Sequence, residues 1–105
     1  INGVRAIGLV DSGACATFMS DTFATSAQIP FRPFRGNAFH LANHDKVQPM
    51  AEGRVQLTLT LNGTRKTAEL NIFILKNLTH QVVIGANVIR SFGIIINGQN
   101  NTVSF

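Results

Sequence analysis

The 105-residue sequence contains neither tryptophan nor tyrosine, a single cysteine and only three prolines. One cysteine, Cys15, cannot close an internal disulfide, and it has no partners at zinc-finger spacing. A reducing compartment is the expectation. Acidic residues are also scarce: Asp11, Asp21, Asp45, Glu52 and Glu69 are all there are, against nine lysines and arginines, for a net charge of +4. Any carboxylate chemistry must come from that short set. No apolar run approaches the roughly 18 residues of a membrane-spanning helix, and no basic segment followed by an apolar one opens the chain, so no signal peptide is expected. The chain starts at Ile1 without a methionine, and almost nothing precedes Asn2-Gly3. A trimmed N-terminal strand is expected within one domain spanning residues 1–105.

The excess of positive charge invites a nucleic-acid reading. The basic residues are scattered, however, and only Arg32 and Arg35 interleave with aromatics, Phe31 and Phe34. Base stacking would fall to phenylalanine alone. Phe31, Phe34 and Phe39 are better read as packing residues, and the charge as a solvated surface. Three Asn-x-Thr sequons, at Asn62, Asn77 and Asn100, read as turn chemistry.

Hydrophobic residues make up 45% of the chain, enough for a real if small core. Their spacing is that of strands. Val55-Gln56-Leu57-Thr58-Leu59-Thr60-Leu61 alternates strictly, so one face is buried and the other wet. Asn62-Gly63 follows, and both residues tolerate the positive φ of a tight hairpin. Leu70 to Leu75 supplies a returning strand. Asn2-Gly3 precedes the apolar segment Val4 to Val10, and Asn97-Gly98 separates Ile94-Ile95-Ile96 from Val103-Ser104-Phe105, so both pairs are candidate hairpin turns. Ala86 to Phe92 reads as a short helix, with Val88, Ile89 and Phe92 on one side and Gly93 as its C-terminal cap. Ser20 to Ala27 offers at most a helical turn before Pro30. The expected architecture is mainly β, a small closed β-barrel with one short C-terminal helix.

Chemistry concentrates at Ile7-Gly8-Leu9-Val10-Asp11-Ser12-Gly13-Ala14, where an apolar run ends on a carboxylate. A charge at the end of a core strand is costly unless paired or neutralised. An aspartate can equally well cap its own turn, with glycine to relax it. On this segment alone the two readings are evenly matched. A second segment, Val82-Val83-Ile84-Gly85-Ala86-Asn87-Val88-Ile89, runs from apolar strand through glycine into the short helix, about 70 residues later.

Together these segments resemble the retropepsins, the retroviral and retrotransposon type of aspartic protease. Asp11-Ser12-Gly13-Ala14 resembles their Asp-Thr/Ser-Gly-Ala signature. Ile84-Gly85-Ala86-Asn87-Val88-Ile89 resembles their C-terminal helix motif, and Phe92-Gly93-Ile94-Ile95-Ile96-Asn97 the strand after it. Leu41-Ala42-Asn43-His44 followed by Gly53-Arg54-Val55 is similar to the flap of retrotransposon proteases. The matches keep their order from Asn2 to Phe105. The resemblance implies a homodimer in which two Asp11 carboxylates share one proton: one activates a water as general base, the other donates to the scissile carbonyl. It also implies that Ser12, Gly13 and Ala14 support the aspartate, and that Leu9, Val83 and Ile84 line the groove for an extended peptide. Asn43, His44 and Asp45 would belong to the flap tip. The implied substrate is a peptide or polyprotein, the implied setting the cytoplasm or a virus-like particle.

Two departures stand out. His44 occupies the place of the flap glycine. Cys15 and Ala86 occupy positions where many retropepsins carry an acid and an arginine that brace the dimer; both partners are missing together, so no charge is stranded. Cys15 has no histidine in a recognisable partner motif, and His40 and His44 have i,i+4 spacing without a third ligand, so neither a thiol enzyme nor a metal or other cofactor is expected. Two alternatives remain: a catalytically silent domain of the same fold that dimerises or binds peptides, and a basic β-barrel binding nucleic acid. A two-lobed pepsin-like enzyme is excluded, because that needs two aspartate motifs in one chain.

Overall fold

A computed structural model describes residues 1–36, 39–40 and 46–105. In chain order the elements are β1 (Gly8–Val10), β2 (Phe18–Ser20), α1 (Asp21–Ser26), β3 (Arg32–Pro33), β4 (Phe39–His40), β5 (Lys46–Val47), β6 (Ala51–Leu61), β7 (Thr64–Leu75), β8 (Val82–Ile84), α2 (Ala86–Phe92), β9 (Ile95–Asn97) and β10 (Thr102–Ser104). The alternating segment forms the second half of β6, and β6 and β7 pair antiparallel along their whole length. Asn62 and Gly63 join them at φ 50° and 79°, the positive values a two-residue hairpin needs.

The main sheet has six strands in the order β1-β8-β2-β7-β6-β3. β1 runs parallel to β8 and β2 parallel to β7, while β2 and β8 are antiparallel. The register sorts side chains onto two faces. Val82, Met19, Ile74 and Ala51 form one row across four strands, each at most 2% exposed. That row belongs to the main core, with Val55, Leu57, Ile72, Ile84, Val88 and Phe92. Burying a side chain such as Met19 or Ile74 contributes roughly 1.5–3 kcal/mol. The opposite face carries the row Leu9, Val83, Phe18, Phe73, Glu52, Arg32. Its middle packs with Ala14 and Ala16 into a second, smaller cluster. Phe34 closes over Phe73 edge-on, ring centroids 5.3 Å apart, and the row ends in the 3.0 Å Arg32–Glu52 ion pair.

The expected mainly β character holds, but the sheet does not close into a barrel. Among the described residues β1 pairs only with β8 and β3 only with β6, so both edges stay open. Among the described residues only β6 and β7 are long; the other strands have two or three residues, too few to wrap a cylinder. The helix expected over Ala86–Phe92 is α2, and Gly93 caps it in the left-handed region at φ 68°. The weaker helical signal before Pro30 becomes α1, started by Ser20, whose hydroxyl accepts the Phe23 N–H. Asn2-Gly3 takes the positive φ values of a tight turn, 50° and 83°, with Val4 N–H donating to Ile1 O. It turns residues 1–4, and Asn2 docks on β6 by donating its N–H to Gln56 O and accepting Gln56 N–H on its side chain.

At the C-terminus β9 and β10 form an antiparallel ribbon outside the main sheet. Asn97 accepts the Gln99 and Asn100 N–H groups, making the turn by side-chain bonding rather than by a two-residue loop. Lys66, on β7, donates to Phe92 O at 2.8 Å and lies 4.7 Å from the Phe105 ring centroid. It ties the end of α2 and the end of the ribbon to the sheet. No helix among the described residues is long and apolar enough to cross a membrane.

Candidate active site

Asp11 is the first residue beyond β1. Its N–H donates to Ile84 O at 2.9 Å, extending the parallel β1–β8 ladder by one step. The chain then turns sharply. Gly13 N–H donates to Asp11 Oδ1 at 2.9 Å and Ala14 N–H to Asp11 O at 3.2 Å. The carboxylate thus organises its own turn and remains exposed in the single chain, as do Ser12 and Gly13. Ala14 is buried at the end of the turn. The turn chemistry and the catalytic reading, evenly matched on sequence, are compatible: one carboxylate oxygen accepts the Gly13 amide while the group still faces solvent.

Other described acids are differently placed. Glu52 and Glu69 pair with Arg32 and Arg54, and Asp21 Oδ1 accepts the Thr22 N–H at the start of α1. Asp21 follows β2 directly but opens a helix, whereas Asp11 follows β1 and opens a turn. Leu9 and Val83 are register partners on the face carrying the second cluster; Leu9 is 41% exposed and Val83 7%. Ile84 lies on the other face, inside the main core. Asn43, His44 and Asp45 lie outside the described residues, between the paired strands β4 and β5. Cys15 is exposed beside the turn. Among the described residues no group of histidines, cysteines and acids could hold a metal ion.

A second set of bonds joins the Asp11 turn to the start of α2. Ala86 N–H donates to Ala14 O at 2.7 Å. Thr17, fully buried, accepts Gly85 N–H on Oγ1 at 3.1 Å and donates to Asn87 Oδ1 at 2.9 Å. The two segments approach so closely that a Cβ at Gly85 would strike the Ala16 carbonyl oxygen. Thr17 was not singled out in the sequence. Its signal was a hydroxyl within Ala14-Cys15-Ala16-Thr17-Phe18-Met19, where burial demands a hydrogen-bond partner.

A β-rich sheet with an Asp-Ser-Gly turn held against an Ile-Gly-x-Asn helix start defines the retropepsin-like class of aspartyl protease domains. Residues 1–91 match the family described as "gag-polyprotein putative aspartyl protease", and the chain belongs to that family. Among solved structures it is similar to the retroviral protease-like domain of Ddi1 from Leishmania major, with a TM-score of 0.62 at 17% sequence identity. That alignment covers 100% of this chain and 82% of the other, a likeness of fold. No curated protein sequence matches the chain.

Proposed function

We propose that this chain is one half of a homodimeric aspartic endopeptidase that cleaves extended segments of a polyprotein, acting in the cytoplasm or within a virus-like particle. The observation that carries the reading is the exposed Asp11 carboxylate, which accepts the Gly13 N–H while the Asp11 backbone amide is held by Ile84 O at the end of β1. Peptide hydrolysis by aspartate needs a base for the water and an acid for the carbonyl. One chain offers one such carboxylate; a second copy supplies the other. Two facing carboxylates share a single proton because like charges so close do not both ionise. Ser12 would brace the pair from below, Gly13 would let the peptide backbone approach, and Leu9 and Val83 would line the groove. Asn43, His44 and Asp45 would cover the bound peptide and exclude water.

Support for a partner surface comes from the C-terminal ribbon. Ile95 and Ile96, adjacent and so on opposite faces of β9, are 58% and 46% exposed. A two-stranded ribbon is marginal alone and gains from being covered. Cys15 and Ala86 provide no charged brace, which makes the dimer weaker than one that has it and leaves the separated chain silent. The deciding experiment is cleavage of a polyprotein-derived peptide library by the purified protein, with sedimentation on the same samples. Cleavage by a species that stays monomeric, or by Asp11→Asn, would refute the reading.

A further inference from the structure

We propose that Thr17 is a positioning residue for Asp11, setting the attitude of the carboxylate through two bonds made by one buried hydroxyl. This rests on the aspartic protease reading above. Asp11 touches Ile84, Ala14 touches Ala86, and the intervening Gly85 has no side chain. Whatever fixes the 84–87 segment relative to the 11–17 segment therefore fixes the aspartate turn. Thr17 does so from inside. Its hydroxyl gives its single proton to Asn87 Oδ1 and takes the Gly85 N–H, while its backbone carbonyl accepts Phe73 N–H from β7. Gly85 is the N-cap of α2 and brings no side chain to cap the helix; its own amide is held by the Thr17 hydroxyl. With no hydroxyl at 17, a buried amide and a carboxamide oxygen lose their partners together.

Thr17 has no exposed surface and cannot touch substrate. Its loss should therefore act on the geometry of the transition state and not on ground-state binding. The test compares Thr17→Val, which keeps the shape and removes the hydroxyl, with Thr17→Ser, which restores it. Rates are expressed per active site, titrated with a tight-binding statine peptide. Thr17→Val should lose kcat by roughly ten- to a hundredfold, the scale of a misplaced catalytic group, with KM within about twofold; Thr17→Ser should recover most of it. The Gly13 amide proton, bonded to Asp11 Oδ1, gives a readout independent of cleavage. It should shift and exchange faster in Thr17→Val and return toward wild type in Thr17→Ser.

Wild-type kcat per site and an unchanged Gly13 amide in Thr17→Val would overturn the assignment. So would a Thr17→Ser as slow as Thr17→Val, since packing rather than the hydroxyl would then be the cause. Should Thr17→Val fail to fold, Asn87→Ala, which removes one of the two bonds, decides: a severalfold fall in kcat supports the proposal, an unchanged kcat ends it. Activity surviving in Asp11→Asn would defeat the protease reading itself, an outcome separate from any Thr17 result because the Gly13 amide still reports the turn.

Discussion

The Asp11 amide and the Ile84 carbonyl meet at 2.9 Å, one residue beyond the last register pair of two parallel strands. This contact makes the aspartate a continuation of the sheet rather than a loop residue. Val10 and Ile84, just before it, are register partners packed with the main core, so the position of the carboxylate is inherited from the pairing of edge strand β1 with the buried strand β8. A site carried on rigid elements is more sharply placed than one carried on a free loop.

Asp11→Asn keeps the side-chain shape and an oxygen able to accept the Gly13 N–H. Folding should be nearly unchanged and peptide cleavage abolished, because the amide cannot exchange the shared proton. Circular dichroism and a fluorogenic peptide assay on the same preparation check this, and residual cleavage at a wild-type rate would remove Asp11 from the mechanism.

Gly85→Ala should be among the most damaging single substitutions. The new Cβ meets the Ala16 carbonyl oxygen and lies 2.8 Å from Ala14 O. Both obstacles are backbone, so no side chain can swing aside. A loss of about 3 kcal/mol or more is expected, at the upper end of overpacking costs, read as a lowered urea midpoint. A midpoint within error of wild type would show that the two segments separate easily.

Ile96→Lys should leave the isolated chain folded, since the side chain is 46% exposed. If the ribbon is the surface on which copies meet, burying an ammonium there weakens association by several kcal/mol. Sedimentation should show a higher dissociation constant, and activity should recover as concentration is raised. An unaltered constant would place the dimer contact elsewhere.

Much of this was legible because periodicity reports directly on burial. Val55, Leu57, Leu59 and Leu61 alternate in the sequence and turn inward in β6. Asn62-Gly63 and Gly93 declared themselves through the φ values that only a few residues tolerate. Sheet closure was not legible, because it depends on whether the edges of β1 and β3 find each other, a long-range matter that no local pattern encodes. The Thr17 hydroxyl was hidden for a related reason. Its partners, Gly85 and Asn87, lie 68 and 70 residues away, and a threonine among alanines carries no period. Ile84 illustrates the limit of a resemblance: the motif marks it as groove-lining, whereas its side chain lies in the main core behind Val83.

The pH dependence tests the dyad most directly. A competent pair holds one proton, so the rate should be bell-shaped in pH. At low pH both Asp11 carboxylates are protonated and no base remains for the water. At high pH the shared proton is gone and no acid remains for the carbonyl. Association carries its own pH dependence, whose sign follows from linkage. On the dyad reading, bringing two like-charged carboxylates together favours the form that keeps one proton between them, so dimerisation should weaken as pH rises through the loss of that proton. Activity then falls toward alkaline pH for two reasons, and higher protein concentration recovers only the part due to dissociation. Ser12→Ala should narrow the active range by loosening the support beneath the pair. The measurement is a pH–rate profile at two protein concentrations about tenfold apart, with sedimentation of the same samples. Superimposable alkaline limbs at both concentrations would show a dimer that does not dissociate in this range. A flat profile from acid to alkaline pH would leave no role for a proton shared between two aspartates.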